Sequence, residues 1–143
     1  MKWLLLEFLK LSLIAFLLHI VWEYVQCAVF FVHVEIPNTN LAMLYASIGD
    51  VILTWIAYLS LVLCRGNWSW YLQPWRALDI FIITLVALVL SISIELYALE
   101  IGRWRYTDIN PLVMGKVSIL PILQLLLLFP LTFKILGSTN TEA

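Results

Sequence analysis

Four apolar runs separated by short polar stretches organise this chain. They cover about 8–34, 41–64, 77–100 and 117–136. Each reaches the roughly 20 residues that a helix needs to cross a bilayer. The pattern therefore predicts an all-α, four-helix transmembrane bundle, a polytopic membrane protein formed as one domain over residues 1–143. The breaks carry their own signals. Glu35 to Asn40 is a polar turn in which Pro37 stops the first helix and Asn40 can cap the second. Arg65 to Arg76 is a loop rich in Trp and Tyr, which favour the headgroup level and predict an aromatic belt. Ile101 to Pro111 follows the third span, with Gly102 placed to end that helix. Gly137 to Ala143 is small and polar, and is expected to fray.

Composition sharpens this picture. The chain is 64% hydrophobic and 12% charged, with a mean hydropathy of +1.01. A soluble domain carries about 25% charged residues. So few polar groups cannot cover a water-facing surface. The basic residues are scattered, which argues against a nucleic-acid partner. The N-terminus resembles a signal peptide in Lys2 and its apolar run, but it lacks a small-x-small cleavage site and reads as a retained first span. Cys27 and Cys64 fall in different spans, without Cys-x-x-Cys or Cys/His metal spacing, and read as unbridged, buried small hydrophobes. Lys2, Lys10, Arg65, Arg76 and Lys134 lie on the side of the termini, against Arg103, Arg105 and Lys116 on the other. That bias predicts both termini in the cytoplasm of a bacterial inner membrane.

The candidate chemistry lies in the polar residues that interrupt the spans. A carboxylate at the centre of a membrane helix costs roughly 2.5–3.5 kcal/mol, so such residues face the bundle interior. His19, Glu23 and Gln26 follow one another at helical spacing, with Phe30 and His33 continuing the stripe along the first helix. Ser47, Asp50 and Thr54 form a second stripe, and Ser91 and Glu95 a third; Gln124 stands one turn from Pro121, which frees an upstream carbonyl. Helical rise puts Glu23, Gln26, Asp50, Glu95 and Gln124 roughly 6–17 Å from one face, while the other halves of the spans are almost wholly apolar.

These stripes predict a polar pocket that gathers Glu23, Asp50 and Glu95, rimmed by Trp22, Trp104 and Tyr106. Three neighbouring buried carboxyls cannot all ionise, so the set holds both an acid and a base. That pairing suits proton transfer to and from a hydrophobic lipid. Glu23, Asp50, Glu95 and His19 are then the catalytic candidates, and Trp22, Gln26, Arg103, Trp104, Tyr106 and Gln124 the substrate-binding candidates. No cofactor is expected. One His with two or three carboxylates also suits a cation, but a lone His-x-x-x-Glu forms no closed site and no metal is predicted. Blander readings stand beside each: Asp50 satisfied by a hydroxyl across an interface, Glu95 paired with Arg103 at the surface, the tryptophans as belt. Arg103 and Arg105 either attract an anionic headgroup or substrate, or pair with Glu100 and Asp108.

Trp22-Glu23-x-x-Gln26, Gly49-Asp50, Glu95, Gly102-x-Trp104-x-Tyr106 and Pro121-x-x-Gln124 resemble, over nearly the whole chain, a group of small four-span bacterial membrane proteins to which no activity is attached. In that group a His often precedes the Gly-Asp pair; here Tyr45 and Ser47 stand in that neighbourhood. Looser likenesses extend to membrane lycopene-cyclase-type proteins, through carboxylates in spans near a Trp-x-Tyr loop. They extend also to emopamil-binding sterol-isomerase-type proteins, through His19-x-x-x-Glu23. Both types act on polyisoprenoids by proton transfer, so the likeness implies an isomerase or cyclase acting on an isoprenoid-like membrane lipid. The alternative is a non-enzymatic subunit or small transporter element whose polar layer binds protons or cations, working as a homo-oligomer or with a partner membrane protein.

Overall fold

The computed structural model describes residues 2–34 and 40–141. Four helices, α1 (Lys2–Phe30), α2 (Asn40–Arg65), α3 (Ala77–Glu100) and α4 (Ile119–Thr141), form an antiparallel bundle in which each packs against the next and α4 closes on α1. All four are long and apolar enough to cross a membrane. Their outer faces are apolar too: Leu5, Leu9, Leu13, Leu17, Val21 and Val25 of α1 recur at helical spacing and are exposed. Burying an apolar face against lipid rather than water removes the need for a charged exterior.

The two ends of the bundle differ. At the end bearing the termini, Leu61, Ala87, Leu125, Phe129, Phe133 and Leu136 pack a dry core. Trp70 and Tyr71 plug it from a 3₁₀ turn, Trp70–Leu72. The aromatic loop is thus only partly a belt: Trp68 is exposed, whereas Trp70 and Tyr71 are buried. The expected fraying of the tail is also corrected. Helix α4 runs on to Thr141, and Asn140 donates to Glu7 Oε2 (2.8 Å) and to the Tyr71 hydroxyl (3.2 Å). Tyr71 in turn donates to Glu7. Burial and the Glu7 carboxyl raise the pKa of the Tyr71 phenol, so it stays protonated and serves as the donor.

At the opposite end the first helix stops earlier than its apolar run suggests. Phe31–His33 (β1) leave the helix and pair antiparallel with Trp104–Tyr106 (β2), in the register Phe31↔Tyr106 and His33↔Trp104. Aromatic and β-branched residues suit a strand, and the exposed helix end is capped from the loop. Thr107 N and Asn110 Nδ2 donate to Phe30 O (3.1 and 2.8 Å), and Thr107 Oγ1 donates to Val29 O (3.0 Å). His33 therefore does not continue the α1 stripe. The turn at Glu35 to Thr39, with Pro37, lies outside the described residues. A second small ribbon, Leu112–Val113 (β3) with Val117–Ser118 (β4), leads into α4. Pro121 then falls in the first turn of that helix, where a missing N–H breaks no helical bond.

Gly102 ends α3 in a Schellman motif. Its N–H donates to Leu99 O and that of Arg103 to Ala98 O (3.2 and 2.9 Å), with Gly102 at φ +70°. A Cβ here would touch nothing, so the requirement is purely conformational. Gly102→Ala is expected to destabilise the folded chain by about 1 kcal/mol in thermal unfolding in detergent.

Candidate functional site

Helix α1 presents His19, Glu23, Gln26 and Cys27 on its inner face, all buried. They are three and four residues apart, so they stack along one side of the helix. Gln124 reaches them from the second turn of α4, and Asp50 and Thr54 from α2. Gln124 Nε2 lies 2.8 Å from Asp50 Oδ2, 3.1 Å from Glu23 Oε1 and 3.0 Å from His19 Nδ1. Gln26 Nε2 donates to Glu23 Oε1 (2.7 Å) and to Gln124 Oε1 (3.2 Å), and its own oxygen accepts from Trp22 Nε1 (3.0 Å). Cys27 Sγ donates to Glu23 Oε2 (3.3 Å). Gln124 Nε2 thus bridges the Glu23 and Asp50 carboxyls.

Counting hydrogens defines what the cluster can hold. An amide NH₂ has two donors, yet three acceptors surround Gln124 Nε2. The two hydrogens are therefore shared among Glu23, Asp50 and His19. The His19 tautomer follows from Thr54. The Thr54 hydroxyl donates to Asp50 O (2.9 Å), so at 3.3 Å from His19 Nε2 its oxygen accepts and Nε2 carries the hydrogen. A neutral ring then leaves Nδ1 as an acceptor for Gln124. A second proton on the ring would turn Nδ1 toward Asp50 Oδ2, 3.4 Å away. Glu23, Asp50 and His19 thus belong to one connected network.

Glu95 stands apart from this pair. It is buried, and its Oε1 accepts from Tyr106 Oη (2.5 Å) and Trp104 Nε1 (3.3 Å). Tyr106 Oη in turn accepts from Ser118 N (3.1 Å). Burial and the neighbouring Glu95 carboxyl raise the pKa of the Tyr106 phenol, which keeps it a donor. The expected single gathering of Glu23, Asp50 and Glu95 is therefore divided. Both groups line one cavity of about 470 Å³, but only Glu23 and Asp50 are joined through Gln124. Nor does Glu95 pair with Arg103 at the surface.

That cavity is lined mainly by apolar atoms, and it lies where α2 and α3 pack least extensively of the neighbouring helices. Tyr45 and Ile52 of α2 and Tyr97 of α3 line it while remaining more than half exposed on the outer face of the bundle. Its mouth therefore opens sideways, toward the lipid-facing surface. Among the predicted binding residues, Gln26, Arg103, Trp104 and Gln124 line it. Trp22 instead positions Gln26, and Tyr106 positions Glu95.

The hydrogen bonding of Cys27 was not foreseen. Its spacing from Glu23, one helical turn, was the available signal. Its sulfur also lies 3.4 Å from His33 Nε2. Burial and the Arg103 charge lower the His33 pKa, favouring the neutral ring. Cys64, expected to be buried, is exposed, and no disulfide joins the two. Among the described residues no group of three His, Cys, Asp or Glu side chains is placed to hold a metal ion. Comparison with protein-family models, with curated proteins and with solved structures finds no match for this chain.

Proposed function

We propose that this chain is an intramembrane acid/base protein acting on a hydrophobic, isoprenoid-like lipid by proton transfer. The observation that carries the reading is the Glu23–Asp50 pair, bridged by Gln124 on the wall of an apolar cavity open to the lipid-facing surface, with the buried His19 bonded to Gln124 behind that wall. In the reaction, one carboxyl gives its proton to a carbon–carbon double bond: the O–H bond breaks and a C–H bond forms. The other carboxylate takes a proton from a neighbouring carbon, which restores a double bond in a new position or closes a ring. Acid and base have then exchanged roles, and transfer of the proton from one carboxyl to the other restores the starting state. Asp50, with a side chain 16% exposed, is the more open of the two to a substrate. The resemblance to proton-transferring polyisoprenoid enzymes supports the same class.

The bias of Lys and Arg toward the side of the termini supports a cytoplasmic position for both ends in a bacterial inner membrane. A conducting or cation-binding layer is the second reading. It has less support, because below the cluster the core is filled by Leu61, Ala87, Phe129 and Phe133.

Lipid extracts from membranes with and without the chain test the proposal. A shift in the isoprenoid fraction that depends on the chain is the expected result. An unchanged profile, together with proton flux into liposomes that Asp50→Asn abolishes, would overturn it in favour of transport.

A further inference from the structure

Arg103 lines the same cavity, at the end away from the dry core. Its guanidinium carbon sits 5.6 Å from the centroid of the Trp104 ring. Among the described residues, no carboxylate lies within ion-pair distance of it. Glu95, a buried acid near the end of the preceding helix α3, is taken up by Trp104 and Tyr106. Arg105, two residues further on, is exposed and is not part of the lining. The cavity is therefore polarised. One end holds a cation with open hydrogen-bond donors, and the interior holds the Glu23–Asp50 pair.

A neutral hydrocarbon filling this cavity would press against the guanidinium and offer it nothing. Arg103 is exposed at this rim of the cavity, and Arg presents a fork that matches carboxylate and phosphate oxygens. A cavity of this volume lies within the roughly 300–1,000 Å³ range of small-molecule sites. We infer that the ligand of this cavity is an amphiphile with an anionic carboxylate or phosphate head, held by Arg103, whose apolar chain enters between α2 and α3 and runs past Glu23 and Asp50. The inference rests on the lipid-site reading above and narrows it. Anchoring the head at Arg103 fixes which way round the chain lies, and so which bond meets the acid pair.

The test uses the full chain purified in detergent and a conjugated polyene fatty acid whose fluorescence rises in apolar surroundings, beside its uncharged methyl ester. The acid is expected to bind about tenfold more tightly than the ester. Arg103→Gln is expected to remove that preference by weakening the acid alone, whereas Arg105→Gln leaves it intact. Unchanged ester binding by Arg103→Gln shows that the variant is folded; should it fail to fold, Arg103→Lys, which keeps the charge without the fork, is expected to lose part of the preference. Competition by a long-chain alkyl phosphate against a long-chain carboxylate ranks the two heads. Equal binding of acid and ester by the wild-type chain would overturn the inference and leave the lipid site standing. Displacement of the probe by inorganic phosphate alone would assign Arg103 to a soluble anion and overturn it as well. Failure of both acid and ester to bind would instead remove the lipid site itself.

Discussion

Replacing Glu23 with glutamine is expected to slow lipid conversion by roughly 10²–10⁴-fold, the usual contribution of a positioned acid or base. Glutamine has nearly the same shape, and its oxygen can still accept from Gln26 and Gln124, so the bundle should fold as before. What disappears is the ability to hold and release a proton. Asp50→Asn is expected to produce a loss of the same order. The double variant should be scarcely worse than either single one, because two groups that share one proton act as a unit and their losses do not multiply. Product formation per folded molecule, with detergent melting curves as a folding control, measures this. Multiplying losses would mean that Glu23 and Asp50 work independently, despite their common contacts with Gln124.

The parts of this site that were legible in the sequence are those set by single helices. Apolar runs of membrane length fixed the four spans, and helical spacing put His19, Glu23 and Gln26 on one face and Asp50 and Thr54 on another. The energetic penalty for exposing such groups to lipid then turned both faces inward. Gln124 was visible for the same reason. The division between Glu23–Asp50 and Glu95 was not legible. It depends on the Tyr106 hydroxyl reaching Glu95, and that reach exists only because β2 pairs with β1. Nothing local in Phe31–His33 distinguishes a strand from one more helical turn. Its partner lies about seventy residues away, and pairing at that distance leaves no periodic trace. Asn140 escaped for a similar reason: a polar tail looks frayed until Glu7 and Tyr71 are seen beside it.

The two halves of the bundle divide the work. Packing at the end with the termini buries Leu61, Phe129, Phe133 and Leu136, and the groove beside it, along Phe8, Trp55, Tyr58 and Trp68, holds none of the Glu23–Asp50 network. The opposite half is loosened between α2 and α3 and keeps its polar groups satisfied by one another. A cavity in a four-helix bundle removes contacts that would otherwise stabilise it. The roof formed by β1 and β2, and the caps that Thr107 and Asn110 place on α1, restore part of that order without filling the space.

The stability of the other end turns on Asp79, and Asp79→Ala is expected to cost about 2–3 kcal/mol. The carboxylate is fully buried. It accepts from Arg65 through Nε (2.9 Å) and a second, close contact from Nη2. It also accepts from Arg76 Nη2 (3.0 Å) and from the Arg76 backbone N–H (2.6 Å), so it caps α3 from inside its own first turn. Alanine removes the cap and leaves Arg65, whose side chain is only 6% exposed, with Gln73 and the Pro74 carbonyl as its remaining partners. The stranded guanidinium is the larger part of the loss. Hence Arg65→Met combined with Asp79→Leu should recover most of it, since an apolar pair strands no charge. Thermal unfolding in detergent of the two single variants and the double one gives the coupling directly. Lipid conversion per folded molecule should remain unchanged in all three, because the dry core separates this staple from the cavity. A fall in conversion without a fall in stability would mean that the two ends are coupled through the helices and that the bundle is not divided as its packing indicates.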